Sequence, residues 1–260
     1  EELIDLIQRQ RAAGIALTTL GFGTGNYNDH LLEQLADEGN GNYAYIDRLS
    51  EARKVLSEEL SATLMTIASD VKIQLEFNPA TVSEYRLIGY ENRILNEEDF
   101  NNDRVDAGEI GAGHRVTALY EISLADSGYQ RLPDRRYGNH AGDPARRRPE
   151  PGLAGELAHL RIRYKRPGED SSRLIESPIM RKSIIPEIAG TSADFRFAAS
   201  VAAFGQRLRG GQYLQSWDYD DIAGLARQSR GDDPFGYRSE FLQLVALAGN
   251  LDRSPAVAQD

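Results

Sequence analysis

The sequence predicts an α/β segment that gives way to a β-rich region and then to helices. Three observations carry this prediction. Ile15 to Ile46 runs as an apolar strand, a glycine-rich turn, a helix, a turn and a second strand. That is most of a βαβ unit, and such a unit implies a parallel sheet with helices on its faces. After Asp70 the apolar residues fall into strand-like alternation, and from Phe195 a helical period returns.

Each element follows from its residues. Leu3, Ile4, Leu6 and Ile7 form a helical stripe, and Gly14 is placed to end that helix. Ile15 to Phe22 is the first strand, closed by Gly21, Gly23 and Gly25. Asn26 or Asn28 can cap the next helix by accepting from its free N–H groups. Leu31, Leu32, Leu35 and Ala36 form the buried side of that helix, and Tyr43 to Ile46 is the second strand. Ser50 can cap a third helix, with Ala52, Val55, Leu56, Leu60 and Leu64 in period, ending near Ser69. Val71, Ile73, Leu75 and Phe77 then alternate with polar residues as far as Asn78-Pro79. Tyr85 to Tyr90, Val116 to Leu124, Leu160 to Lys165 and Leu174 to Ile179 are further strands, with no helix between them. That spacing indicates antiparallel pairing. A Gly-, Pro- and Arg-rich loop from 126 to 155 contains the basic run Arg146-Arg147-Arg148, a solvated stretch on the simplest reading. Three helical segments follow: Phe195 to Leu208, one capped by Asp218 or Asp220, and one leading through Phe241 to Leu247.

Bulk properties narrow the function classes. The net charge of −10 opposes nonspecific binding to nucleic acid or anionic lipid. The chain has no Cys, which excludes disulfides, thiolate metal sites and Cys nucleophiles. No apolar run is long enough to span a bilayer.

Among the motifs, the turn Gly21-Phe22-Gly23-Thr24-Gly25 precedes a helix but lacks the lysine and the spacing of a phosphate loop. The acidic loop holding Asp99, Asn101, Asp103, Asp106 and Glu109 is the metal candidate, because oxygen ligands at alternating positions suit Ca²⁺. It departs from an EF-hand at Arg104 and Ile110; the competing reading is an Asx-rich turn between strands. His30, His114, His140 and His159 show no metal-binding spacing, and no nucleophile elbow is present. No catalytic residue is assigned, so the expectation is a non-enzymatic protein.

The string IALTTLGFGTGNYNDHLLEQLADEGNGNYAYID, with the helix from Ser50, resembles the C-terminal third of a von Willebrand factor type A domain. The segments DFNNDRVDAGEIGAGHRVTALYEI, LAHLRIRYKRP and GDDPFGYRSEFLQLV resemble the C-terminal region of bacterial YfbK-like proteins. The resemblance implies a partial, doubly wound type A sheet over residues 1–69. It implies a second domain over 70–260, with antiparallel strands over 70–190 and helices over 191–249. Type A domains hold Mg²⁺ through a D-x-S-x-S loop and later Thr and Asp loops. None of these maps onto this sequence, so Mg²⁺ belongs to a longer parent, no cofactor is expected in this chain, and Ca²⁺ is left to the acidic loop. The expectation is a fragment of a periplasmic or surface protein that binds protein partners, with neither nucleic acid nor membrane insertion. A calcium-dependent structural domain is the alternative. An incomplete parallel sheet should also leave apolar surface exposed.

Overall fold

The structure, a computed structural model, describes residues 2–23, 28–58, 65–89, 95–105, 107–132 and 152–253. Among the described residues it is a mixed α/β chain with antiparallel sheets, one parallel strand pair and six α-helices. Its packing forms two compact units, each discontinuous in sequence. Unit 1 is Glu1–Glu76, Ile94–Val116 and His159–Pro178; unit 2 is Phe77–Arg93, Thr117–Ala158 and Ile179–Asp260.

Unit 1 opens with α1 (Glu2–Ala12), β1 (Thr19–Phe22), α2 (Asp29–Glu38), β2 (Tyr43–Ile46) and α3 (Leu49–Arg53). Gly14 does turn the chain after α1, with φ +82°. Asn28 caps α2, its side chain accepting from Leu31 N at 3.1 Å. Asn26 lies outside the described residues. β1 and β2 pair in parallel, from Thr19 opposite Tyr43 to Phe22 opposite Ile46. The first strand is shorter than Ile15–Phe22, because residues 15–18 are taken up by a passage over the C-terminal end of α2, where Leu17 N donates to Gly39 O at 2.9 Å. On α2, Leu35 and Ala36 are buried, whereas Leu31 is exposed.

The third helix starts near Ser50 as the pattern predicts but does not reach Ser69, since Thr66 already belongs to a strand. Arg48, not Ser50, is its N-cap residue, and Lys54–Glu58 continues as a π-turn. β3 (Thr66–Phe77) has begun by Thr66, where the β-branched Thr66 and Ile67 favour strand over helix. Leu60 and Leu64 lie outside the described residues.

β3 belongs to a four-stranded sheet of order β5-β3-β7-β8, with β5 at Gly108–Gly111, β7 at Glu156–Lys165 and β8 at Arg173–Met180. β5 pairs antiparallel with β3, and the register is broken between Ala68 and Val71. Asp70 sits in that irregularity with φ +50°. β8 is the outer strand opposite β5; it carries Pro178, and Arg173 to Ile179 are exposed.

Unit 2 contains an antiparallel pair, β4 (Val82–Leu87) with β6 (Tyr120–Leu124). Tyr85 stacks on Phe77 with ring centroids 4.3 Å apart. Its helices are α4 (Ala193–Leu208), α5 (Tyr219–Gln228) and α6 (Tyr237–Arg253). Ser192 caps α4, and Asp218 with Asp221 forms a capping box on α5. Before α6, Asp233 accepts from Arg238 N and Ser239 N at 3.1 and 2.8 Å, while Pro234 and Gly236 stay outside the helix. The three helices meet around Ala203, Ile222 and Val245, with Phe204, Leu214, Trp217, Tyr219 and Phe241 packed against them. Residues 133–151, including Arg146 to Arg148 and His140, lie outside the described residues.

Candidate functional site

The acidic loop is built against one face of the four-stranded sheet in unit 1. Residues Glu97–Asn101 make a 3₁₀ turn, which drives Phe100 to 2% exposure. Alternation on β3 and β7 directs Lys72, Gln74, Arg161, Arg163 and Lys165 to that side. Lys72, only 3% exposed, donates to Asp99 O at 3.2 Å and to Asn102 O. Arg163 donates to Asn101 Oδ1 at 2.9 Å and to Ser172 Oγ at 2.6 Å. Lys165 pairs with Asp70 and donates to Asp103 O at 2.8 Å. Arg161 and Arg163 lie over the Phe100 ring at 4.8 and 5.8 Å, a cation–π arrangement. The hydroxyl and backbone N–H of Ser172 hold the Asp103 carboxyl below its ordinary range, assisted by Arg163 and Lys165. The hydrogen bond to Asp70 raises Lys165 above the ordinary range of a lysine.

These contacts place the predicted metal ligands. Asp99 Oδ2 accepts from Asn96 Nδ2 at 3.1 Å, and Asn101 and Asp103 face Arg163 and Ser172. Glu109 lies in β5, and Asp106 is outside the described residues. Among the described residues, no three His, Asp or Glu side chains converge as a metal group. A Ca²⁺ ion entering the loop would meet three cationic side chains already bonded to its oxygens. Calorimetric titration is therefore expected to give no saturable heat up to about 1 mM Ca²⁺. Saturable binding with a loop-wide loss of amide exchange would show that the cations yield to the metal.

Unit 2 contains a cleft of about 310 Å³, lined among others by Glu121, Ile122, Leu124, Tyr129, Arg131 and Gln215. Glu121 bridges two guanidiniums: Arg86 Nε at 2.7 Å and Arg131 at 2.7 Å. Arg86 lies 3.8 Å over the Tyr213 ring, so this aromatic serves as a platform for cations, whereas Trp217 and Tyr219 pack on the helical core. Both oxygens of Glu121 are engaged, and the cleft presents no unpaired charge from that residue.

The other notable surface of unit 2 is on α6. Val245 and Gly249 face inward, with Val245 at 0% exposure. Leu244, Leu247 and Leu251 recur at i, i+3 and i+7 on another side, at 50, 56 and 67% exposure. From Phe241 to Leu251 the helix has no charged residue. A helix that is apolar on two sides has one more such side than its own bundle uses. Periodicity identified the helix but not this surplus, since an exposed Leu and a buried Leu look alike in sequence.

No helix among the described residues is long and apolar enough to cross a membrane. The protein is similar to "Uncharacterized protein YfbK" of Escherichia coli (strain K12), with 47% identity over 247 residues, covering 95% of this chain and 41% of that protein. The chain thus spans less than half the length of that relative. A crystal structure of the ArnB paralog VWA2 from Sulfolobus acidocaldarius aligns over 92% of this chain and 59% of its own, with TM-score 0.37 and 14% identity. The family described as "Uncharacterized protein YfbK, C-terminal" matches residues 62–251, and the chain belongs to that family.

Proposed function

We propose that the chain is a non-enzymatic protein-binding module whose docking surface is the uncharged leucine stripe of α6. The carrying observation is that Leu244, Leu247 and Leu251 stay half or more exposed on a helix whose opposite side is already packed. Interface centres are depleted in charge, and Phe241 to Leu251 has none. The partner that fits is an apolar groove or an amphipathic helix that takes leucines at i, i+3 and i+7. The segment from α1 to β2 is read as the closing part of a type A domain, on the strength of its sequence pattern; in that reading any Mg²⁺ site lies in a longer parent, and the working location is the cell envelope.

A photo-reactive residue at position 247 tests the reading in the native host. It should capture one dominant protein, and Leu251→Glu should remove that product at unchanged expression and circular dichroism. The same probe at Arg227, on α5, should not capture that protein. Equal products from both positions, or insensitivity to Leu251→Glu, would overturn the docking surface.

A further inference from the structure

The chain leaves α2 through Asn40-Gly41, the single Asn-Gly step in the sequence. In an unstructured chain this step is chemically labile. The glycine amide nitrogen, once it has lost its proton, attacks the side-chain carbonyl carbon of the asparagine, and glycine has no side chain to hinder the approach. Ammonia leaves as the new C–N bond forms. Water then opens the cyclic imide at either carbonyl, giving aspartate or isoaspartate, and water is the only co-reactant.

The fold both requires these residues and holds the reaction back. Asn40 has φ +51°, the left-handed conformation that Gly or Asn adopts after a helix. Asn40 N donates to Asp37 O at 3.2 Å and Gly41 N to Ala36 O at 2.9 Å, the paired bonds of a Schellman cap that follows the C-cap residue Gly39. Position 41 admits no Cβ, because it would lie 1.7 Å from Leu17 O. The attacking N–H is thus engaged by the cap. Ring closure needs that bond broken and Asn40 turned out of the left-handed region, so the end of α2 must fray and the passage of Leu17 over it must lift. Isoaspartate then carries the main chain through an extra methylene between residues 40 and 41. It lengthens the loop that the Ala36–Gly41 bond closes and displaces Gly41 from its seat against Leu17, just before the ladder that opens with Thr19 opposite Tyr43.

We propose that Asn40-Gly41 is a latent deamidation site gated by the cap of α2, and that its conversion to isoaspartate makes opening of the β1–β2 crossing irreversible. The test follows isoaspartate at position 40 by peptide mass and by isoaspartyl methyltransferase labelling, in mildly alkaline buffer. The folded chain should convert at least about tenfold more slowly than the same chain in urea. Leu35→Ala, which removes a buried contact of α2, should speed conversion under conditions where circular dichroism shows it folded. Converted chains returned from urea should leave the β1 and β2 amides unprotected from hydrogen exchange. Asn40→Gly, which suits the left-handed position and carries no side-chain amide, should regain that protection after the same cycle. Equal conversion in folded and unfolded chains overturns the gate. Converted chains that regain protection in β1 and β2, or an Asn40→Gly chain that loses it as completely as the parent, overturn the irreversibility. None of these outcomes bears on the leucine stripe of α6.

Discussion

Replacing Gly41 by alanine is expected to lower the stability of unit 1 by about 3 kcal/mol or more, among the largest effects of any single methyl group in the chain. A Cβ at this position would lie 1.7 Å from the carbonyl oxygen of Leu17 and 2.2 Å from its carbonyl carbon. Both are main-chain atoms, so no rotamer change can relieve the overlap. The crossing cannot open cheaply either. Leu17 N donates to Gly39 O and Thr19 N to Asn42 O, each at 2.9 Å, and these bonds set the approach of β1 to β2. The first few residues of the parallel ladder, Thr19 with Tyr43 and Leu20 with Ala44, follow directly from that crossing. Thermal unfolding followed by circular dichroism should show a midpoint at least about 10 °C lower. A variant within 2 °C of the parent would mean that the two backbones are not in contact.

Ile222→Ala is expected to cost unit 2 about 3 kcal/mol, within the usual range for deleting a fully buried aliphatic side chain. Ile222 is 0% exposed and sits where α4, α5 and α6 meet, together with Ala203 and Val245. The aromatic side chains around it hold one another in edge-to-face contacts. Phe204 lies 5.5 Å from Phe241 and 6.3 Å from Tyr219. Such a shell collapses poorly into a void, which places the cost above simple transfer of the lost methyl groups. Denaturant unfolding of the purified chain measures it. Leu247→Ala on the exposed stripe is the comparison, and should change stability by no more than about 0.5 kcal/mol. Equal losses at both positions would mean that the inward side of the bundle is wrongly placed.

What could be read from the sequence was local. Asn28 and Asp218 cap helices because a short side-chain acceptor next to free N–H groups is a contact within three residues. Leu35 and Ala36 follow from helical period alone. The misread elements are those set by distant partners. β5 is a strand only because β3 offers it a ladder; Gly108, Glu109 and Gly111 have little preference for one. Leu31 keeps the period of α2 and is nonetheless exposed. Lys72 is the clearest case. Its alternation with Val71 and Ile73 marks it as solvent-facing, yet it is nearly inaccessible, because the carbonyls that receive it are 27 and 30 residues away. The acidic loop was likewise visible as a set of oxygens. The cations that meet it lie on β3 and β7, and Arg163 reaches Asn101 across 62 residues. Spacing within a motif shows what a loop can bind; it does not show which side chains of the same chain arrive there first.

The outer strand β8 carries features that oppose fibrous aggregation. An unpaired strand end-on to solvent invites a neighbouring molecule to extend the ladder, and repetition of that step grows a filament. Pro178 has no N–H to offer such a neighbour, and the exposed Arg173 and Glu176 place opposite charges along the same border. Lateral growth along this border is thereby discouraged. Pro178→Val, which restores an N–H to this border, is the substitution expected to weaken that protection.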